Sequence, residues 1–280
     1  MKIKKIKVES VYYWPRWFKE TLPLSEQIKI KPALITKLNR GQIYLWQALN
    51  IYDDFLDGDG RPSELPEANT YFRKFLEINY RLNLPADFYS LFNKILSDLD
   101  RANQEETDSL KLKIKNGQII IPQKLPNFTD LKALAKKSLA LGLGPVAILA
   151  YLGYHVKSQK ICGLLNFFRF ALAAKQLADD AHDWREDLEN VKITAVNVLI
   201  LKMAQKNKII LDLKKRPEIA YLLFAKISPL IIDRLNNLCR QARHEAKKLA
   251  WPEKNKLIEK IIAPLEKAAQ KAAAFQKLLS

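Results

Sequence analysis

The sequence predicts an all-α protein with one small inserted β-hairpin. Leucine, alanine and lysine are abundant and the 280 residues include only 8 glycines, a composition that favours helices. The hydrophobic content of 48% is enough to bury a large core. No internal repeat or low-complexity linker divides the chain, so we expect a single helical domain over residues 1–280.

Proline, serine and glycine indicate the helix ends in the first third of the chain. Pro32 lies inside one predicted helix, Ser63 is a favourable N-cap, and Pro85 suits a first helical turn. Gly58 and Gly60 end the second helix, because glycine readily adopts the left-handed conformation that follows a helix. The predicted helices are 24–38, 42–57, 63–82 and 85–106.

Residues 110–121, LKLKIKNGQIII, interrupt the helical pattern. Leu110, Leu112 and Ile114 alternate with lysines, which is the period of a half-buried strand. The pair Asn116-Gly117 that follows is favoured in two-residue hairpin turns. We therefore expect a β-hairpin inserted between helices.

The second half of the chain is again predicted to be helical. Thr129 caps a helix through Tyr154, whose uncharged stretch is too short for a membrane span and suits a buried helix. Ser158 begins a long helix that carries residues 171–189. Three or four further helices follow, separated near Lys206, Pro217 and Pro252.

Six carboxylates lie between Asp179 and Glu189, although the formal net charge of the chain is +17. In a continuous helix, Asp179, Asp183 and Asp187 stand at i, i+4 and i+8 and span only about 80° of one face. Carboxylates stacked in this way repel one another unless a cation lies between them. Mg²⁺ takes oxygen ligands and commonly links one or two carboxylates to substrate phosphates, so the spacing predicts Mg²⁺ ligands.

A second cluster, IYDDFLDGDG, repeats the arrangement upstream. Asp53 and Asp57 are again four residues apart, with Asp54 beside them, at the end of an apolar helical run. We expect two helices that face each other across one cavity and hold metal ions between them. An EF-hand calcium loop does not fit, because its ligand positions would fall on Phe55 and Pro66.

Other function classes are less well supported by the sequence. Cys162 and Cys239 lack metal-site or disulfide spacing, which fits a reducing, cytoplasmic location. The N-terminal segment leads into no apolar stretch, so we expect no signal peptide. The lysines are scattered, with no arginine-rich block, so no nucleic-acid partner is expected. Attraction to an anionic membrane surface stays an open alternative.

The ordered set of motifs resembles the trans-isoprenyl diphosphate synthases and the related class I terpene synthases. Besides the two DDxxD clusters, Gln176 lies three residues before Asp179, and Lys137-Ser138 resembles the family's Lys-Thr pair. Lys192 and Thr194, with Asp187 before them, resemble an Asp…Gly-Lys-x-Thr segment in which Val191 replaces the glycine. The resemblance covers residues 43–194.

This resemblance implies a helical bundle around a central cavity, three Mg²⁺ ions, a prenyl diphosphate substrate and a homodimer. Lys137, Arg185 and Lys192 are then expected to bind the diphosphate together with Gln176. Ala48 and Leu49 match the positions that form the floor of the prenyl chain pocket, where a small residue admits a longer chain. The implied metal ligands are Asp53, Asp54, Asp57, Asp179, Asp180, Asp183 and Asp187, and the implied catalytic set is Asp53, Asp57, Asp179, Asp183 and Lys137.

The second-substrate motif departs from the family pattern. The Gly-Gly-Lys-Arg-x-Arg-Pro stretch of chain-elongating members is matched only by Lys29, Lys31 and Pro32, and the arginine pair after the first motif is reduced to Arg61. We therefore expect ionisation of an allylic diphosphate followed by cyclisation or elimination. Chain elongation with isopentenyl diphosphate is the alternative. A non-catalytic helical partner subunit and a nucleic-acid binder are further alternatives.

Overall fold

A computed structural model describes residues 10–109 and 112–279, with the backbone alone for Asp57, 106–109 and 277–279. Eleven α-helices and one β-hairpin are present within these residues. The helices are α1 Trp14–Lys19, α2 Leu24–Gln27, α3 Pro32–Asp57, α4 Leu65–Tyr80, α5 Ala86–Ser109, α6 Leu143–Tyr151, α7 Gln159–His182, α8 Trp184–Glu189, α9 Ala195–Lys206, α10 Pro217–Lys248 and α11 Ala263–Leu279. The strands are β1 Lys113–Lys115 and β2 Gln118–Ile120.

The hairpin and most of the helices confirm the sequence predictions. β1 pairs antiparallel with β2, and Asn116 and Gly117 both have positive φ, of 53° and 81°, as a tight two-residue turn requires. Residues 110 and 111 of the predicted hairpin lie outside the described residues. Helices α9, α10 and α11 are separated where Lys206, Pro217 and Pro252 predicted.

Four predicted helix boundaries are wrong. Ser63 does not cap α4 but lies inside the 3₁₀ turn Pro62–Glu64, and α4 begins at Leu65. Pro32 does not lie inside a helix but begins α3, where its missing N–H costs nothing, and α3 then runs unbroken to Asp57. The predicted helix from Thr129 is replaced by 3₁₀ turns at Leu131–Ala135 and Leu139–Gly142, and only α6 is α-helical. The long helix through Glu189 is divided at Asp183 into α7 and α8.

The chain forms two compact units that are interleaved in sequence. The first comprises Met1–Ser97, Ser138–Phe168 and His244–Lys260, and the second comprises Asp98–Lys137, Arg169–Arg243 and Ile261–Ser280. The expectation of one domain stays a prediction.

The core of the first unit is aromatic. Trp14 stacks on Phe168 with 5.3 Å between ring centroids, and Phe167 packs edge-on against Trp251. All residues from Leu139 to Ala150 are buried in this core. Gly142 permits the close approach of this stretch to Phe168, because a Cβ there would lie 2.9 Å from the Phe168 ring.

The second unit packs α8 and α9 against each other and α10 beside them. Trp184 of α8 stacks on Phe224 of α10 with 4.6 Å between centroids. Arg243 of α10 donates two hydrogen bonds, of 2.6 and 2.7 Å, to the carboxylate of Glu266 on α11. This bidentate geometry joins the ends of the two helices.

Helix α7 is long and apolar enough to span a membrane by length and composition alone. However, 61% of its most apolar window is buried within the protein. This burial is typical of a core helix.

Replacing Phe168 by alanine should lower the free energy of unfolding by about 3–5 kcal/mol, because the fully buried ring leaves a cavity beside Trp14 and Gly142. The matched control is Phe275→Ala, since that ring is 62% exposed and its loss should cost less than about 0.5 kcal/mol. Urea unfolding followed by circular dichroism measures both. Equal midpoints for the two variants would contradict this packing.

Candidate functional site

The first acidic motif occupies the last two turns of α3, in the first unit. Asp53 and Asp54 are exposed there, as expected for residues at the rim of a helix. For Asp57, the last residue of α3, only the backbone is described. The motif therefore places carboxylates at a helix C-terminus, where the helix dipole does not favour negative charge. A bound cation would stabilise these carboxylates.

The glycines after the motif build a tight turn that closes α3. Gly58 has φ of 86°, the left-handed conformation predicted for it. The carbonyl oxygen of Asp54 accepts hydrogen bonds from the N–H groups of Asp59 and Gly60, at 2.9 and 2.7 Å. A Cβ at Gly60 would lie 2.5 Å from the Phe55 backbone, so this position needs glycine for close approach.

The basic residues assigned to the second substrate do not join this motif. Lys31 precedes α3 and Asp53 lies near its other end, so a rise of 1.5 Å per residue separates Lys31 from Asp53 by about 33 Å. Lys29 lies two residues before Lys31, outside the helix. The structure therefore does not support a shared diphosphate site for these lysines and Asp53. Arg61 lies next to the motif, but its guanidinium pairs with Glu64 at 2.5 Å, which raises the pKa of Arg61.

Ala48 and Leu49 lie on α3 about one turn before the motif. Ala48 is completely buried and Leu49 partly buried. Their assignment to the floor of a prenyl chain pocket stays a prediction.

The second acidic motif spans the junction of α7 and α8, in the second unit. The helical hydrogen bonds continue through the break, because the N–H of Asp183 donates to Asp179 and the N–H of Asp187 donates to Asp183, each at 2.9 Å. The i, i+4, i+8 spacing is therefore kept. Asp179 and Asp183 are exposed and Asp187 is partly exposed, so the row of carboxylates lies towards the surface of this unit.

Asp180, next to Asp179 along α7, is turned towards the interior and is 6% exposed. One carboxylate oxygen accepts a hydrogen bond from the Gln176 side chain at 2.9 Å, and the other accepts from the Ala195 backbone N–H at 3.2 Å. Ala195 is the first residue of α9, whose N-terminus favours an anion. Asp180 and Gln176, predicted as a weaker metal ligand and a substrate contact, are thus held in a network that anchors α9.

Arg185, predicted to bind the diphosphate, is held by neighbours within the second unit. Its guanidinium pairs with Glu189 at 2.8 Å and donates to the hydroxyl of Tyr221, contacts that raise its pKa. It also lies over the Tyr221 ring, with 5.4 Å to the centroid. These contacts indicate that Arg185 positions α8 against α10. The sequence carries no signal for Tyr221, which lies 36 residues away along the chain.

The segment after the second motif bends sharply at Val191. Its φ is 57°, a left-handed conformation that is strained for a β-branched residue. The turn returns the Lys192 N–H to the Asp187 carbonyl at 2.8 Å, and Thr194 then caps α9 by accepting from the Asn197 N–H. Val191 thus has a backbone conformation that glycine adopts readily, and it stands where the resembling motif has glycine.

Asn197 was missed by the sequence analysis. It is fully buried in α9, and its side-chain amide donates to the Lys192 carbonyl at 3.4 Å. This contact supports the backbone that carries Lys192. A single asparagine within the apolar run AVNVLIL is the signal that could have revealed it.

Lys137 lies in the turn between the two 3₁₀ segments rather than on the predicted helix. Its side chain is partly exposed. The expectation that the two acidic motifs face each other, and that Lys137 joins them, stays a prediction.

The acidic residues have the donor chemistry that Mg²⁺ requires. Carboxylate oxygens that reach solvent, as in Asp53, Asp179 and Asp183, suit a hard cation that keeps several water ligands. Among the side chains that the structure describes, which do not include that of Asp57, no three His, Cys, Asp or Glu residues converge into a closed metal site. Mg²⁺ is commonly held by one or two carboxylates and substrate phosphates.

A cavity of about 340 Å³ lies in the first unit, remote from the motif residues of that unit along the chain. It is lined mainly by apolar residues, with Lys160 as its charged member. Lys160 pairs with Glu26 at 2.6 Å, and Tyr154 donates to the same carboxylate oxygen at 2.7 Å. None of the residues predicted as ligands or substrate contacts lines this cavity.

Solved structures of prenyl synthases share this fold. A geranylgeranyl pyrophosphate synthetase from the archaeon Geoglobus acetivorans matches with a TM-score of 0.61 at 14% identity, covering 96% of this chain and 93% of that one. A polyprenyl synthase from Roseobacter denitrificans matches with a TM-score of 0.64 at 11% identity, covering 90% and 85%. The chain has the fold of the trans-isoprenyl diphosphate synthases.

A third prenyl synthase structure agrees with these two. The apo form of an Arabidopsis medium/long-chain length prenyl pyrophosphate synthase matches with a TM-score of 0.53 at 12% identity, covering 95% and 89%. No protein-family model and no curated protein matches the sequence. The three matching structures therefore confirm the predicted all-α fold, and they confirm the resemblance at the level of fold.

Replacing Asp180 by alanine should lower the free energy of unfolding by about 1–3 kcal/mol, because the buried Ala195 N–H and the Gln176 amide lose their acceptors. Asp179→Ala is the matched control, since this neighbouring carboxylate is exposed and its loss should change stability by less than about 0.5 kcal/mol. Thermal denaturation of both variants makes the comparison. A larger loss in Asp179→Ala would refute the role assigned to Asp180.

Replacing Val191 by glycine should stabilise the protein by about 1 kcal/mol, because glycine adopts positive φ without the strain that a β-branched side chain meets. Val191→Ala should give a smaller gain, since alanine removes the branching but keeps the Cβ. Urea midpoints of the three proteins test this order. Destabilisation by glycine would show that Val191 is not strained.

Proposed function

We propose that the chain is a Mg²⁺-dependent prenyl diphosphate synthase that joins an allylic prenyl diphosphate to isopentenyl diphosphate. The observation that carries this proposal is the prenyl synthase fold combined with an acidic row on α3 and another on α7–α8 at DDxxD spacing. The three similar structures are all of prenyl synthases. They favour the alternative of chain elongation over the cyclisation that the sequence analysis preferred.

We assign metal binding to Asp53 and Asp57 on α3 and to Asp179, Asp183 and Asp187 on α7–α8. Mg²⁺ bound there would stabilise the negative charge that develops on the departing diphosphate. Asp54 is a weaker ligand in this assignment. Asp180 and Gln176 keep α9 in place, so that Thr194 and the Lys192 backbone are held close behind the second motif.

The cations of the site have different tasks in this proposal. Lys137 and Lys192 bind the diphosphate, because an ammonium on a flexible stem can follow the phosphate oxygens as charge develops. Arg185 positions α8 through Glu189 and Tyr221. Binding a diphosphate through Arg185 would break the pair with Glu189, so we assign it no direct contact.

A reducing, cytoplasmic location is part of the proposal. Both cysteines are free thiols, Cys162 exposed and Cys239 buried. Burial raises the pKa of Cys239 to about 12, so its thiol stays protonated and unreactive. A homodimer, implied by the resemblance, stays a prediction.

Product analysis decides between the functions. The protein is incubated with geranyl, farnesyl or geranylgeranyl diphosphate, with and without isopentenyl diphosphate, in Mg²⁺ or in excess chelator. We expect longer prenyl diphosphates only when isopentenyl diphosphate and Mg²⁺ are both present. Cyclic or eliminated hydrocarbons without isopentenyl diphosphate would restore the cyclisation hypothesis. No pyrophosphate release from any substrate would favour the non-catalytic partner subunit.

Asp179→Asn should lower kcat/KM by at least about a hundredfold with little change in stability, because a neutral amide binds Mg²⁺ poorly and the side chain is exposed. Glu186→Gln is the matched control, an exposed carboxylate of the same segment outside the i, i+4, i+8 row, and should retain activity. Steady-state pyrophosphate release measures both. Similar losses in the two variants would show that the row has no special role.

A further inference from the structure

The β-hairpin forms one surface with the segment that follows α9. β2 pairs with β1 on one side and with the chain around Asp212 on the other, through an antiparallel bridge between Gln118 and Asp212. The Ile119 N–H donates to the Leu211 carbonyl at 2.9 Å. Two segments, 112–124 and 202–216, therefore lie side by side in the second unit.

The register of these strands places one row of side chains on the outer face. Ile120 is opposite Lys113 in the hairpin, and continuing the Gln118–Asp212 bridge places Ile210 opposite Ile120 on its other side. Neighbouring residues on the inner face are buried, with Ile119 6% exposed and Leu211 1% exposed. Because side chains alternate along a strand, the outer row points to solvent.

The outer face carries aliphatic side chains that are exposed and do not pack in the protein core. Ile120 is 45% exposed and Ile210 is 62% exposed. Adjacent exposed apolar residues on one sheet face offer apolar surface that a partner can cover.

The same two segments are strongly basic. Asp212, their single acidic residue, is 6% exposed, and its carboxylate accepts backbone hydrogen bonds from Lys214 and Lys215 at 3.2 and 2.9 Å. No exposed carboxylate therefore comes from residues 112–124 or 202–216. The exposed basic residues of the two segments are Lys113, Lys115, Lys124, Lys202, Lys206, Lys208, Lys214, Lys215 and Arg216.

We propose that this basic hairpin face, centred on Ile120 and Ile210, binds the surface of an anionic lipid bilayer. The isoleucines enter the headgroup region, and the surrounding lysines extend their ammonium groups to lipid phosphates while their alkyl stems lie along the interface. The positive charge of the two segments complements the negative potential of such a surface. This inference is independent of the proposed reaction.

Edge protection and nucleic-acid binding each account for only part of the pattern. Lysines on an edge strand prevent edge-to-edge aggregation, which explains Lys113 and Lys115 but not the basic residues from 202 to 216 or the exposed isoleucines. Nucleic-acid surfaces favour arginine forks and aromatic stacking. The two segments contain one arginine and no aromatic residue. A lipid surface is the partner that uses both the aliphatic row and the lysines.

Vesicle flotation tests the proposal with the full chain. Vesicles of phosphatidylcholine alone are compared with vesicles that also contain phosphatidylglycerol, over a range of salt concentrations. We expect binding to the anionic vesicles, weakened by salt, and little binding to phosphatidylcholine alone. Circular dichroism confirms that each variant is folded.

Two pairs of substitutions separate charge from insertion. Lys214→Gln with Lys215→Gln should weaken binding roughly twenty-fivefold, about fivefold for each ammonium removed near an anionic surface. Ile120→Ser with Ile210→Ser should weaken it roughly tenfold without changing the charge, because two partly buried aliphatic contacts are lost.

Matched controls lie in the first unit. Lys254→Gln with Lys260→Gln removes the same charge from exposed positions, and Leu24→Ser with Ile28→Ser removes side chains that are 73% and 75% exposed. Both should bind like the unaltered chain. The proposal is overturned if the control pairs lose as much binding as the test pairs. It is also overturned if the chain binds no vesicle but binds an RNA homopolymer, and if this RNA binding is unchanged by the isoleucine substitutions.

Discussion

Burial of one face of α7 and α8 is the constraint on which the second acidic motif depends. Leu177, Trp184 and Leu188 fill the interior of the second unit, and Trp184 stacks against Phe224. Because positions four residues apart share a helical face, this burial leaves Asp179 and Asp183 on the opposite, solvent-facing side. The carboxylate row is therefore held by packing, although its members repel one another.

One carboxylate of the motif is used for structure. Asp180 faces inward, where an unpaired charge would be costly, and it is satisfied by the Gln176 amide and the first N–H of α9. The same helix then carries Asn197, which contacts the backbone of Lys192. The motif, its following turn and α9 thus form one hydrogen-bonded assembly, and the strain at Val191 is stored within it.

Local signals in the sequence were sufficient for much of the fold. Asn116-Gly117 predicted the hairpin, and Gly58 predicted the end of α3, because both positions require positive φ. The long helix before the second motif was likewise evident. Pro32 and Thr129 misled the prediction, since proline is equally favourable at a first turn and since residues 131–142 adopt 3₁₀ turns that propensity does not distinguish from an α-helix.

Contacts between residues distant in sequence show features of the predicted site residues that the sequence pattern alone could not predict. The spacing of Asp179 and Asp180 gives both the chemistry of a ligand, and only the fold shows that one is exposed and the other buried. Arg185 has the charge to bind a diphosphate, and the fold adds a contact with Tyr221, far along the chain, that no local pattern predicts. Lys29 and Lys31 match a motif in sequence, whereas the unbroken length of α3 separates them from Asp53.

Calorimetric titration of inorganic pyrophosphate into the protein tests the central claim most directly, because it requires neither a prenyl chain nor turnover. The account predicts binding in the presence of Mg²⁺, none in excess chelator, and at least about tenfold weaker binding for Asp183→Asn. Glu186→Gln should bind like the unaltered protein. Pyrophosphate binding that is independent of Mg²⁺, or equal in Asp183→Asn, would contradict the assignment of the carboxylate row as a metal site.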